Sequence, residues 1–123
     1  MNAERFEGVL DSQIARVRDV LVVKAAEYAP VDRLSNFRKA AHLQGIDIPR
    51  AIGGIMVKHT VSIFDMLASG NSFTLEQWDE KITDHINYLI LLRAAIVENH
   101  QPGKTRAEED DNLREPVYAE ACD

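Results

Sequence analysis

The sequence predicts an all-α protein with a four-helix bundle-like fold and a separate acidic tail. Apolar residues recur at three- and four-residue steps over four segments, and proline or glycine separates those segments. Hydrophobic residues make up 46% of the 123 positions, and a chain of this length typically forms one domain with one core. We therefore predict a helical domain over residues 1–100 and a mobile tail over residues 101–123.

The first predicted helix runs from Ala3 to about Tyr28. The run from Val20 to Val23 is rich in β-branched residues, which favour strands, but no turn residues flank it, so we expect it to be helical. Pro30 ends this helix because proline lacks an amide hydrogen and disfavours helical geometry in the residue before it. The apolar stripe consists of Phe6, Val9, Leu10, Ile14, Val17, Leu21 and Tyr28.

Two further helices follow, each with a start and a stop signal. The second begins at Asp32, whose side chain caps the first turn, and ends at Gly45. The third begins after Asp47, carries Pro49 in its first turn, and ends before Gly70. These signals predict a short second helix and a long third one.

The third helix contains Gly53 and Gly54, which destabilise a helix interior. We expect close packing against a neighbouring helix to compensate for this cost. The alternative is close approach of a ligand to the backbone.

The fourth helix begins at a predicted capping box, in which Ser72 or Thr74 is followed by Glu76 and Gln77, and it ends near His100. We expect its apolar stripe to face the core, and the width of the stripes predicts a homo-oligomer that shares faces between copies. The stripe is formed by Leu75, Trp78, Ile82, Ile86, Leu89, Leu92 and Ile96.

Charge and cysteine content exclude several classes of function. The net charge is −6, and the tail carries seven of the twenty acidic residues, so we expect no non-specific nucleic-acid binding. The single cysteine, Cys122, forms no internal disulfide, and no signal-peptide pattern or long uninterrupted apolar stretch is found. We expect a cytoplasmic protein that does not bind membranes.

Glycine-rich nucleotide loops, serine-nucleophile motifs and paired cysteines are absent from the sequence.

Polar residues on otherwise apolar helices are the candidate site. Lys58, Ser62 and Asp65 share one face of the third helix, and the fourth helix carries a second polar stripe. Carboxylates are the oxygen ligands that Mg²⁺ prefers, and a nearby lysine suits the phosphates that Mg²⁺ accompanies. The alternative is a set of exposed faces and hydrogen-bonded pairs, such as Lys58 with Asp84. The second stripe consists of Glu80, Asp84, Asn87 and Tyr88.

A third polar group lies where the first helix gives way to the second. Its members are placed to line one cleft beside the bundle, or alternatively to cap the helices and form local ion pairs. The group consists of Lys24, Glu27, Tyr28, Asp32, Arg33 and Asn36.

These residues also carry a family resemblance. The segment from Asp84 to Leu92 resembles a helix of the MazG-like all-α nucleoside triphosphate pyrophosphohydrolases, in which the matching Asp binds magnesium. Over residues 20–97 the chain is similar to small phage- and prophage-encoded helical proteins related to that fold. The matching pattern is Lys24-x-x-Glu27-Tyr28, Asn36-Phe37, Lys58-His59, Ser62-Ile63-x-Asp65-Met66, Lys81-Ile82-x-Asp84 and Asn87-Tyr88.

The resemblance implies a nucleotide-binding protein, extending to a Mg²⁺-dependent pyrophosphohydrolase-like enzyme of phage or prophage origin, in the host cytoplasm. Asp65, Glu80 and Asp84 would hold Mg²⁺, and Lys58 would contact phosphate. The base or sugar would lie against Glu27, Asn36, Asn87 and Tyr88.

The chain departs from the family at the carboxylates. Lys81 stands three residues before Asp84, where the enzymes have Glu, and the preceding helix has no Glu. Either fewer ligands hold the metal, with Glu27 or Asp32 substituting, or catalysis has been lost. The second case predicts a non-catalytic phage or prophage accessory protein that acts as an oligomeric helical interaction module.

Overall fold

The structure, a computed structural model, describes residues 1–28 and 31–100. The predicted acidic tail, residues 101–123, lies outside the described residues. All regular secondary structure in the described part is helical, which confirms the all-α prediction.

The first helical stretch has three parts. Helix α1 spans Ala3–Arg18, and the Asn2 side chain caps it by accepting a hydrogen bond from the Arg5 amide at 2.8 Å. A π-helical segment, Asp19–Lys24, follows directly, and α2 spans Ala25–Tyr28. The β-branched run is therefore helical, as predicted, but it adopts the wider turn whose amides bond five residues back.

Helix α3 spans Ser35–Gln44, which is three residues shorter at its start than predicted. The Asp32 carboxylate accepts a hydrogen bond from the Leu34 amide at 3.0 Å and so orders the turn before the helix. At the other end Gly45 adopts φ +67°, the left-handed conformation predicted for a helix stop.

Helices α4 and α5 begin at the predicted caps. Helix α4 spans Ile48–Ala68, with Asp47 accepting from the Arg50 amide at 2.8 Å, and Gly70 follows it at φ +71°. Helix α5 spans Leu75–Asn99 and starts with a capping box between Thr74 and Gln77.

The fold is organised around an antiparallel pair formed by α4 and α5. Ile52 near the start of α4 clusters with Ala95 near the end of α5, whereas Thr60 further along α4 bonds His85 earlier on α5 at 2.9 Å. Helix α3 packs on α4, and α1 packs on α5. Leu34 completes the buried cluster, which lies at one end of the pair. Partly buried residues around it are Phe37, Ile48, Tyr88, Leu91 and Leu92.

Most of the apolar stripe predicted for α5 does not face the core of the described chain. In α5 the buried residues are Thr83, Asn87 and Ala95, which lie on a different face from the predicted stripe. Helix α1 has no buried residue at all. The reason is that each helix has apolar residues on more than one face, and the described chain does not cover all of those faces. Residues of the predicted stripes that are exposed are Phe6, Val9, Leu10, Ile14, Leu75, Ile82, Leu89 and Ile96.

The expected packing against Gly53 and Gly54 is also not found. A Cβ atom built at either position meets no atom within 4 Å, so neither glycine makes a close helix contact in this chain. The two glycines therefore carry their helix-propensity cost without a packing partner among the described residues.

Helix α4 is the most apolar helix of the described chain. Its best 18-residue window has a mean hydropathy of 1.3, and only 17% of that window is buried. By length and composition alone it is able to span a membrane, although a core helix of a soluble protein passes the same test. This one helix does not decide the predicted cytoplasmic location.

Candidate functional site

A groove of about 330 Å³ opens between the first helical stretch and α5. Its volume is at the lower end of the range for small-molecule sites in proteins. Its lining is dominated by carboxylates, and we call it the acidic groove. The lining residues are Arg16, Asp19, Val20, Lys24, Glu76, Asp79, Glu80, Thr83 and Asp84.

Helical spacing explains how α5 supplies most of this lining. Glu76, Glu80 and Asp84 follow one another at four-residue steps, so their side chains lie on one face. On the opposite wall, Asp19 and Lys24 are the first and last residues of the π-helical segment. π-Helical turns are rare and occur often at functional sites.

Two ion pairs cross or border the groove. Arg16 lies 3.2 Å from Asp79 of α5, and Lys24 lies 3.5 Å from Asp19 on its own segment. All four side chains are partly or largely exposed, so each pair contributes little to stability. Arg16 and Lys24 are therefore available to exchange their carboxylate partner for another anion.

Three carboxylates of the groove form no ion pair within the described chain. Within the described residues, Glu76, Glu80 and Asp84 take part in none of the ion pairs. With five carboxylates and two cationic side chains, the lining carries a net charge of −3 when its carboxylates are ionised. Such a groove attracts cations and repels a free anionic ligand.

Metal binding by protein ligands alone is not supported in the groove. Among residues 1–28 and 31–100, no three His, Cys, Asp or Glu side chains converge on a common point that would hold a metal ion. Mg²⁺, however, is commonly bound by one or two carboxylates, with water and substrate phosphate completing its octahedral shell. Glu80 and Asp84 fit that second mode.

The structure brings together only part of the predicted site. Glu80 and Asp84 line the same groove, whereas Asp65 is exposed on α4 and contributes nothing to the lining. Lys58 is likewise exposed, and none of the ion pairs of the described chain joins it to Asp84. Glu27 and Asn36 are also exposed, outside the groove lining.

The remaining two predicted residues lie one turn beyond Asp84. Tyr88 stacks on His59 of α4, with ring centroids 4.6 Å apart, and meets the edge of Phe37 of α3 at 6.2 Å. These rings tie three helices together. Asn87 is 5% exposed, and its Oδ1 has no hydrogen-bond partner in the described chain; the same is true of His59 Nε2.

An unpaired buried acceptor is unusual because desolvating it without a partner costs about 1–3 kcal/mol. Asn87 lies three and four residues after Asp84 and Thr83, so it continues the groove face of α5 along the helix. Within the predicted set, its amide oxygen is a buried hydrogen-bond acceptor that no group of the described chain satisfies.

Sequence reasoning missed the wall opposite α5. Arg16 and Asp19 did not enter the predicted site, because a uniform 3.6-residue turn hides the change of face that a π-helical segment introduces. Glu76 and Asp79 could have been predicted from the sequence, since Glu76 lies four residues before Glu80 and Asp79 lies four residues before Thr83.

The perturbed pKa values lie elsewhere in the molecule. A hydrogen bond from Arg38 at 2.5 Å, helped by the Leu34 amide, holds the pKa of Asp32 below its usual range. Arg38 also bonds Glu98 of α5, and the two carboxylates raise the pKa of Arg38. This network joins α3 to the end of α5 and is structural in character.

The comparisons with known proteins give no relative for this chain. It matches no family of proteins, no curated protein and no solved structure.

Proposed function

We propose that this protein binds a nucleotide in the acidic groove through a bound divalent cation, Mg²⁺ being the best candidate. The observation that carries the proposal is the pair Glu80 and Asp84, two carboxylates free of ion pairs on one groove face, opposite the cationic side chains of Arg16 and Lys24. Carboxylates would hold the metal on one wall, and the cationic side chains on the other wall would help to neutralise the phosphate charge.

In this proposal Glu80 and Asp84 hold Mg²⁺ through one carboxylate oxygen each or through bound water. The remaining positions of the metal are left to water and to phosphate oxygens of the nucleotide. Because the lining is net negative, phosphate binds only after the cation has lowered that charge, from −3 to −1 for one Mg²⁺, and has supplied a positive centre for the phosphate oxygens. The proposal therefore requires strict dependence on a divalent cation.

Lys24 and Arg16 contact the phosphates after giving up their weak ion pairs with Asp19 and Asp79. A charge-assisted hydrogen bond to phosphate is roughly twice as strong as a neutral one, and Arg16 offers a planar two-point contact. Asn87, which is buried one turn beyond Asp84 and outside the groove lining, makes no contact with the nucleotide in this version.

The resemblance to MazG-like enzymes extends the proposal to a reaction. A nucleoside triphosphate would be hydrolysed between the α- and β-phosphates, giving a monophosphate and pyrophosphate. Arg16 and Lys24 would then neutralise charge on the departing pyrophosphate. Lys58 and Asp65 have no role in this version, because neither lines the groove.

Thermal unfolding tests the binding step. The full chain is heated with nucleoside mono-, di- and triphosphates of the ribose and deoxyribose series, each with and without Mg²⁺. A ligand at 100 times its Kd stabilises the folded state by about 2.7 kcal/mol, so Tm rises. We expect a rise only when Mg²⁺ and nucleotide are both present.

Three variants make the test specific. Asp84→Asn and Glu80→Gln remove the proposed metal ligands with little change of shape, and each should abolish the Mg²⁺-dependent rise. Asp65→Asn is the matched control, because it removes an exposed carboxylate that lies outside the groove. The proposal fails if no nucleotide shifts Tm, or if Asp84→Asn responds like the wild type. Loss of the shift in Asp65→Asn alone would favour a metal site on α4. Pyrophosphate release by the wild type then decides whether binding leads to hydrolysis.

A second candidate function is non-catalytic interaction with another protein. Helix α1 favours it, since none of its residues is buried, and Phe6, Val9, Leu10 and Ile14 are each about half exposed or more. This candidate predicts no response to Mg²⁺ or nucleotide, together with protection of α1 amides from hydrogen exchange only when a partner is present.

A further inference from the structure

Helix α5 exposes four large apolar residues at intervals of seven. Leu75, Ile82, Leu89 and Ile96 are all exposed, with between 39% and 74% of their surface accessible. A seven-residue apolar repeat keeps a stripe facing one partner helix along its whole length, as in helix–helix packing of the coiled-coil type. The repeat therefore predicts a helical partner for this face of α5.

Helix α4 exposes a second stripe beside the first. Val57, Val61, Phe64 and Leu67 follow one another at three- and four-residue steps, and at least half of each residue's surface is accessible. All four side chains remain exposed among the described residues.

Both stripes lie on the same side of the α4–α5 pair. Thr60 bonds His85, so these residues mark the line along which the helices meet, and Tyr88 lies on the same line. Val61 follows Thr60 by one position and Leu89 follows Tyr88 by one position, a rotation of about 100° in the same sense about each axis. Because the helices are antiparallel, equal rotations turn the two stripes to one side.

We call the combined surface the α4–α5 apolar face. Given the exposed fractions of its residues, the face offers on the order of 800 Å² of surface, which matches one partner's share of a standard protein interface. By contrast, the described chain buries only five apolar residues of its own: Leu34, Ala41, Ala51, Ile52 and Ala95. The α4–α5 apolar face consists of Val57, Val61, Phe64, Leu67, Leu75, Ile82, Leu89 and Ile96.

We infer that a second copy of this chain covers the α4–α5 apolar face. The two α4–α5 pairs would pack about a two-fold axis and form a four-helix bundle, in which the same face serves both copies. An area sufficient for a stable dimer and a repeat suited to a helical partner both favour this occupant over a lipid surface, which has no need of a seven-residue period. The inference does not rest on the proposed nucleotide function.

Sedimentation velocity of the full chain tests the inference. Over roughly a hundredfold range of micromolar concentration, we expect a species of twice the 13.8 kDa chain mass that dissociates on dilution. A monomer at every concentration would overturn the inference.

Two variants locate the interface. Leu89→Lys introduces a charge at the centre of the α5 stripe and should weaken dimerisation roughly 30-fold or more. Val61→Thr keeps the side-chain shape, adds a hydroxyl, and should weaken dimerisation while leaving the far-UV circular dichroism unchanged. Leu43→Lys is the matched control, because Leu43 is 85% exposed on α3 and lies outside the face.

Each result decides the inference. Weaker association in both face variants and unchanged association in Leu43→Lys support it, and Val61→Thr supports it even if Leu89→Lys fails to fold. Association that both face variants retain would overturn it. Binding of the wild-type monomer to neutral phospholipid vesicles, in place of dimerisation, would overturn it in favour of a lipid surface.

Discussion

The end of the molecule where α3 meets α4 and α5 differs in kind from the contact between α1 and α5. At the first, Leu34, Ile52 and Ala95 are buried together, and the rings of Phe37 and Tyr88 pack against them. At the second, α1 has no buried residue and is joined to α5 by side-chain polar contacts, chiefly Gln13 with Thr83 and Arg16 with Asp79. Apolar packing defines one region, and polar contacts define the other.

This difference explains where the acidic groove lies. Close packing leaves no room for a ligand, whereas a helix held by a few polar contacts leaves charged side chains in water beside its neighbour. The groove opens along the polar α1–α5 contact and not near the buried cluster. We expect α1 to open locally at a lower free energy than the other three long helices.

Truncation of Ile52 should have the largest effect. Ile52 is fully buried at the centre of the cluster, so Ile52→Ala leaves a cavity and should lower the free energy of unfolding by about 2–5 kcal/mol, measured in urea at one fixed protein concentration. Leu43→Ala, at an exposed site, should change it by less than about 0.5 kcal/mol. A loss below about 1 kcal/mol for Ile52→Ala would mean that the packed end is not the main source of stability.

The features that could be predicted from the sequence are those that depend on neighbouring residues. The caps at Asp47 and Thr74 and the stop at Gly45 were found, because each is a local hydrogen bond or a local backbone conformation. The start of α3 was placed too early, because Asp32 makes its hydrogen bond in a turn before the helix.

The features that could not be predicted depend on which face of a helix is covered. The α5 sequence has apolar residues on both the Leu92 and the Leu89 side, and periodicity alone does not say which side belongs to the chain's own core. In the candidate site, Glu80 and Asp84 were found together because they share a helix. Asp65 was grouped with them although it does not line the groove, because residue spacing along the sequence gives no distance between side chains on different helices.

Loss of the contact between Gln13 and Thr83 should have the next largest effect, confined to α1. Gln13→Ala leaves the buried Thr83 hydroxyl without its partner at 3.0 Å, which should cost about 1 kcal/mol. Hydrogen exchange followed by mass spectrometry should then show α1 amides exchanging roughly fivefold faster, with α4 unchanged. Ser12→Ala, at an exposed neighbouring position, is the control. Equal acceleration of exchange in α4 would show that the two regions unfold as one unit and do not differ in local stability.

Replacement of one exposed glycine by alanine should stabilise each of the two regions. A Cβ at Gly54 of α4 or at Gly8 of α1 meets no atom within 4 Å, so alanine should improve helix propensity by about 0.5–1 kcal/mol at either position. In urea unfolding we expect Gly54→Ala to raise the global stability, whereas Gly8→Ala should slow hydrogen exchange in α1 alone. If Gly54→Ala instead weakens self-association, the second copy approaches α4 closely at this glycine, which lies one turn from Val57.

Acidification should have the smallest effect, and it acts at the packed end. The folded-state pKa of Asp32 lies below its unfolded value, chiefly because of Arg38, so the carboxylate stabilises the fold above the unfolded pKa and loses that contribution as pH falls through the folded one. In urea unfolding at neutral pH, Asp32→Asn should be slightly less stable than the wild type, and the gap should close below about pH 4. The effect is small because nearly half of the Asp32 side chain is exposed to solvent. The absence of a gap at every pH would mean that the Asp32 side chain acts through its hydrogen bond to the Leu34 amide, which asparagine keeps, and not through its charge beside Arg38.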